Sequence, residues 1–219
     1  MEKYGTIPPK FTKDWWAHYW HYYKFHIILG LILLAGVIHL VVALVNKVDY
    51  DLSVEIVTAN YYLTPDETEA IKAKINSVAN DVTGNNKVDV EYKNDAFSGS
   101  DATNMNHIQQ DNATITRIMG EVETGAKQLY IVDKKMADYL IDFECLIPVS
   151  EWAGDVPQEL IYKENLFSLS GNRAFEEMGI DSSNLYIGVL ELRDDIKDDE
   201  TLKAKQDNAK YVAFELIKE

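Results

Sequence analysis

The 219-residue sequence predicts an α/β domain with a mainly parallel sheet covered by helices, preceded by one transmembrane helix. Three observations predict it. Residues 27–45, IILGLILLAGVIHLVVALV, contain no formally charged side chain. Beyond residue 49, β-branched runs alternate with stretches whose apolar residues recur at helical spacing, the pattern of parallel strands joined through helices. The 171 residues from 49 to 219 suffice for one core and would be cramped as two.

The apolar run comes first. At a rise of about 1.5 Å per residue its nineteen residues span about 28 Å, close to the roughly 30 Å of bilayer hydrocarbon. Buried helices of soluble proteins seldom run this long without a polar stripe. Lys3, Lys10, Lys13 and Lys24 precede the run, whereas only Lys47 follows it before Lys72. Basic residues stay on the cytoplasmic side, so the N-terminus is expected inside and the domain outside. No small-x-small cleavage site and no lipobox cysteine follows the run, which favours a retained signal-anchor over a cleaved leader or a lipid anchor. The expected layout is a cytoplasmic aromatic-rich juxtamembrane segment (1–26), a transmembrane helix (27–45) and an extracytoplasmic α/β domain (49–219) in the plasma membrane.

The juxtamembrane segment DWWAHYWHYYKFH carries Trp15, Trp16, Tyr19, Trp20, Tyr22 and Tyr23. Such amphipathic rings favour the headgroup layer, so an interfacial continuation of the membrane helix is expected. His26 and His39 lie thirteen residues apart, about 220° around a helix, and cannot jointly ligate one haem. No cofactor is expected.

Charge is divided unevenly. Residues 1–48 carry five lysines against two acids, whereas residues 49–219 carry 16 basic against 34 acidic residues, a net −18. Nucleic acid and anionic headgroups are therefore poor partners for the domain. The expected partners are the lipid bilayer, through the transmembrane helix, and a membrane or envelope protein; the oligomeric state stays open. The single cysteine, Cys145, excludes an intrachain disulfide.

Along the domain, DLSVEIVT (51–58) reads as a first strand. Thr64-Pro65-Asp66-Glu67 offers an N-cap, a first-turn proline and a capping-box glutamate. The helix that follows has the apolar stripe Ile71, Ile75, Val78 and Val82, and Gly84-Asn85-Asn86 ends it. Val88, Val90 and Tyr92 alternate with charged residues as in an edge strand. A polar loop, 94–103, leads to a helix with the stripe Ile108, Ile115, Met119 and Val122, closed by Gly125. LYIV (129–132) is a buried strand, residues 134–143 a short helix, and residues from 146 onward a less regular region. LYIGVLEL (185–192) is another buried strand. A final helix, 202–217, presents Ala209, Val212, Ala213 and Leu216.

This succession resembles the first lobe of extracellular solute-binding proteins of the type II periplasmic-binding fold. The resemblance rests on DLSVEIVT, DETEAIKAKINSVANDV, KVDVEYKN, ITRIMGEVETG, QLYIVD and MADYLIDFECLIPV, covering about residues 50–150. It is a pattern of elements, with no signature motif. It implies one lobe of a binding protein, membrane-anchored and without a full second lobe, because only 70 residues follow Val149.

In an open α/β sheet, ligands bind outside the carboxyl ends of the parallel strands. That rule places candidate ligand-binding residues at Tyr61 and Tyr62 after the first strand. It adds Asn94, Asp95, Phe97, Ser98, Ser100 and Asp101 after the second strand, and Asp133 after the third. No metal site is expected. The run beginning at Asp81 has the oxygen alternation of a calcium loop but lacks its sixth-position glycine, and Tyr92 stands where the bidentate glutamate belongs. Catalysis is not expected either: His107 and Cys145 are the only histidine and cysteine of the domain, and no hydrolase or phosphate-loop motif occurs. The expected function is a non-enzymatic, membrane-anchored binding or scaffolding module, the alternative a small-ligand receptor lobe.

Overall fold

Helix α1 (Lys13–Val45) carries the aromatic segment and the apolar run as one continuous helix. The computed structural model describes residues 8–45, 48–59, 63–97 and 105–218. Contacts divide the chain into two units, Met1–Val48 and Asp49–Glu219.

In the first unit Thr12 opens α1, accepting the Trp15 amide at 3.3 Å and donating its hydroxyl to the Pro9 carbonyl at 2.8 Å. Aromatic rings one turn apart then stack along one face. Trp15 lies 5.5 Å from Phe11 and 5.4 Å from Tyr19, and Tyr19 lies 4.7 Å from Tyr23. From Ile28 to Val42 the large apolar side chains are exposed all round the helix. A helix of this kind has no polar face to turn to water and is stable only in an apolar surrounding.

In the second unit, β1 (Leu52–Ala59), β2 (Val90–Phe97) and β3 (Leu129–Asp133) are parallel, with β1 between the other two. They are linked through α2 (Pro65–Val78) and α3 (Met105–Thr124). After α4 (Lys134–Asp142) the chain forms β4 (Ile161–Tyr162), β5 (Leu166–Ser168), α5 (Arg173–Glu177), β6 (Leu185–Val189) and α6 (Glu200–Ile217). The sheet order is β2-β1-β3-β6-β5-β4, and β6, β5 and β4 all pair antiparallel.

The sheet is therefore mixed, which corrects the expectation of a mainly parallel one. The cause lies in residues 146–184. A parallel return needs a crossover long enough to recross the sheet. Here the chain makes the β4–β5 hairpin instead, turning through Lys163 and Glu164 at φ 46° and 73°, and α5 has only five residues. Left-handed Lys and Glu carry none of the Asn-Gly signal that marks hairpins in a sequence.

One sheet face packs on α2 and α6, with Leu52, Val54, Ile56, Ile71, Ile75 and Val212 in its core. Ala209 and Ala213 let α6 approach closely, and all four stripe residues of that helix are buried. The Asn208 amide donates to the Asp51 and Asn80 carbonyls at 3.2 and 3.0 Å, and its oxygen accepts the Asn80 amide at 3.0 Å. Thr64 and Glu67 form the complete capping box of α2. That helix stops at Val78, before Val82 of the expected stripe, because the Asp51 carboxylate takes the Val82, Thr83 and Asp89 amides at 2.7–2.8 Å. Although burial works against it, those amides hold the Asp51 carboxyl below its ordinary range.

The other face packs on α3 and α4 around Val57, Phe97, Ile118, Tyr130, Val132 and Leu140. Helix α3 buries Asp111, Ile118 and Val122, packs Ile115 against the same core and leaves Ile108 and Met119 exposed, so its inner face keeps two of the four expected stripe residues and is rotated from the other two. It brings Arg117 and Glu121 over β1 and β2.

Two glycines separate packing from propensity. A Cβ at Gly188 of β6 would lie 2.5 Å from Leu166 Cδ2, 3.3 Å from Leu146 Cδ1 and 3.5 Å from the Asn165 carbonyl. Gly188→Ala is expected to destabilise the domain by about 1–3 kcal/mol through overpacking. Gly120→Ala, exposed on α3 with nothing within 4 Å, should stabilise it by about 0.5–1 kcal/mol. Denaturant titration of the full chain in detergent reads both; equal effects would contradict the close contact of β6 with β5.

Candidate functional site

Alternation along the strands sets the chemistry of the sheet face beneath α3. On β1 it points Ser53, Glu55 and Val57 that way, on β2 Glu91, Lys93, Asp95 and Phe97, and on β3 Tyr130 and Val132. Register aligns Lys93, Glu55 and Tyr130 in one row across the three strands. Glu55 sits on the middle strand of the three and is 0% exposed. A buried carboxylate needs a counter-charge or a proton.

Arg117 of α3 supplies the counter-charge. Its guanidinium donates to Glu55 Oε1 at 2.7 Å and also pairs with Asp95 and Glu121. Lys93 lies 3.4 Å from Glu121 and 4.0 Å from Asp95, and the buried Lys127 pairs with Glu91. Three carboxylates thus share one guanidinium and the half-buried Lys93. Burial pushes the Glu55 carboxyl up to about 7; Arg117 opposes the rise, and Glu121 and Asp95 add to it. The Arg117 guanidinium is held above its usual range, its carboxylate partners outweighing burial.

Among the described residues, Glu55 Oε2 and the Tyr130 hydroxyl, both buried in this region, have no hydrogen-bond partner. Burial drives the Tyr130 hydroxyl well above its ordinary value, with the charges of Cys145 and Glu55 adding to the shift. The cluster clamps α3 to the sheet. The guanidinium takes the place a metal ion would need between the carboxylates. Among the described residues no group of three or more His, Cys, Asp or Glu is placed to hold a metal. Cys145 is 5% exposed, donates to the Leu140 carbonyl at 3.3 Å, and is pushed by burial up to about 12.

The residues expected to line a strand-end site have other surroundings. Asn94, Asp95 and Phe97 lie within β2 and not in the loop after it, because β2 pairs with β1 at every position from Val90 to Phe97. The Asn94 amide reaches Thr68 Oγ1 at 3.3 Å, Asp95 joins the Arg117 cluster, and Phe97 is buried edge-on to Tyr139 at 5.6 Å. Asp133 N-caps α4, accepting the Met136 amide at 3.1 Å. Tyr61, Tyr62, Ser98, Ser100 and Asp101 lie outside the described residues. Asp81 closes the α2–β2 turn, its carboxylate accepting the Gly84 and Asn86 amides at 2.7 Å.

Glu55, Arg117 and Tyr130 are not among the residues the sequence singles out. A signal existed: one glutamate inside DLSVEIVT, a strand otherwise fit for burial, demands a partner from elsewhere. No protein-family model, no curated protein and no solved structure matches the chain.

The cluster sets a pH dependence. Glu55 titrates at about 7 when folded against an ordinary 4.5, so between those values the folded chain keeps a proton that the unfolded chain loses. Stability is expected to fall by on the order of 3 kcal/mol as pH rises from about 5 to 8. Glu55→Gln should flatten that slope in urea titrations, and an unchanged slope would exclude Glu55 as its source. Arg117→Met, which leaves Glu55 buried and unpaired, should cost about 3 kcal/mol at pH 8 and less at pH 5.

Proposed function

We propose that this chain is a single-pass, membrane-anchored module whose acidic α/β domain lies outside the cytoplasm and binds or scaffolds a protein partner without catalysis. The observation that carries it is α1: a helix long and apolar enough to cross a bilayer, its apolar side chains exposed on every side. Apolar surface on that scale requires lipid or another apolar surface. The lysines ahead of the span and their scarcity behind it orient the domain outward.

A binding role suits the domain's chemistry. Its only thiol is buried and protonated at neutral pH, which removes the obvious nucleophile. Its charge cluster is closed by internal ion pairs. The small-ligand receptor reading has less support, since Asn94, Asp95, Phe97 and Asp133 are engaged in structural contacts.

Membrane fractionation tests the anchor. The full-length chain should remain in the pellet after alkaline carbonate washing. Leu33→Arg with Leu34→Arg should release it, each arginine costing about 2.5–3.5 kcal/mol at a span centre. Wild-type chain in the supernatant would overturn the reading. An amine-reactive crosslinker applied to the same membranes should shift the chain to a discrete larger species, whereas an unshifted band would remove the partner.

A further inference from the structure

At the end of the sheet opposite the expected strand-end site, β6 leaves beside the start of β3, and Leu190 bridges Leu146. There the last turns of α3, the end of α4 and the segment after β6 enclose a cleft of about 410 Å³. That volume lies within the range of small-molecule and side-chain pockets. Its floor is apolar: Val122, Cys145 and Leu192 are buried, Phe143 is half-buried, and Met119 stands 44% exposed at the mouth.

The rim has the opposite character. Glu123, Glu144, Glu191 and Asp194 are all exposed around it, against one cation, Arg193. Arg193 is already engaged, with Asp195 at 3.2 Å and Glu123 at 3.8 Å. Glu144 and Glu191 make no ion pair among the described residues and present negative charge beside an apolar floor, whereas Asp194 pairs with the exposed Lys197 at 2.7 Å and Glu191 also borders Lys197, Lys203 and Lys210 on its other side. The Glu191 amide is fixed by the Cys145 carbonyl at 2.8 Å, which keeps rim and floor in register.

We propose that this cleft docks a basic segment of a partner protein, one that places an aliphatic or aromatic side chain on Met119 and Phe143 while flanking Lys or Arg residues meet Glu144, Glu191 and Asp194. Charge complementarity selects the occupant. An acidic segment is repelled by the rim, and a purely hydrophilic cation leaves the floor wet. The proposal rests on the reading of this domain as a partner-binding module and names the chemistry of the partner.

The test uses the full-length chain in zwitterionic nanodiscs, with empty nanodiscs as background, and a fluorescent hexapeptide Lys-Lys-Leu-Phe-Lys-Lys. Anisotropy should show saturable binding that weakens with salt. Glu144→Gln, Glu191→Gln and Asp194→Asn combined should weaken it at least tenfold, and replacing Leu-Phe by Ser-Ser should do the same. An equal charge removal elsewhere, Glu159→Gln, Glu176→Gln and Glu177→Gln, should change it less than twofold. Equal losses from both triple variants, equal binding of the Ser-Ser peptide, or no binding above background would each overturn the cleft as a docking site. Carbonate extraction reads the membrane anchor separately, so loss of peptide binding with retention in the pellet removes only this proposal.

Discussion

A carboxylate in the middle of a sheet needs a counter-charge or a proton, and the pairing of Glu55 with Arg117 organises one whole face of this domain. To reach Glu55, α3 turns Arg117 and Glu121 toward β1 and β2. That rotation lifts Met119 out to the surface, where it borders the cleft beside Phe143. Asp95 is drawn into the same network from β2, so the edge strand is tied through charge as well as backbone. Breaking a buried pair by removing one partner costs more than the pair itself contributes. The cluster is thus a strong constraint on how α3 sits.

The opposite face follows ordinary packing. Small residues on α6 fit against β1, β3 and β6, and Asn208 joins the start of β1 to the end of α2. Asp51 holds the turn that follows. Polar side chains on this face thus serve the connections, and apolar ones fill the layer. The antiparallel half of the sheet carries β6 to the end of the domain where the acidic cleft opens.

Much of this was legible from residue pattern. The capping box at Thr64, the buried strand at 129–132 and the face of the last helix follow from local rules that tertiary structure left intact. The apolar run forms one long helix, as its composition implies. What the pattern concealed has identifiable causes. Strands β4 and β5 have two and three residues, too few for a period-two signal, and their turn uses Lys163 and Glu164. Strand β2 continues past Tyr92 through Asn94 and Asp95, residue types that otherwise mark loops, to Phe97. No local pattern pairs Arg117 with Glu55, which lies 62 positions away in sequence.

Sidedness is the claim on which the functional reading depends, and the buried thiol of Cys145 gives an unusually quiet background for measuring it. A membrane-impermeant maleimide applied to intact cells should label Glu177→Cys in the domain. It should label Lys10→Cys, ahead of α1, only after the membrane is opened. Labelling of Lys10→Cys in intact cells, with Glu177→Cys protected, would place the acidic domain inside and contradict the account.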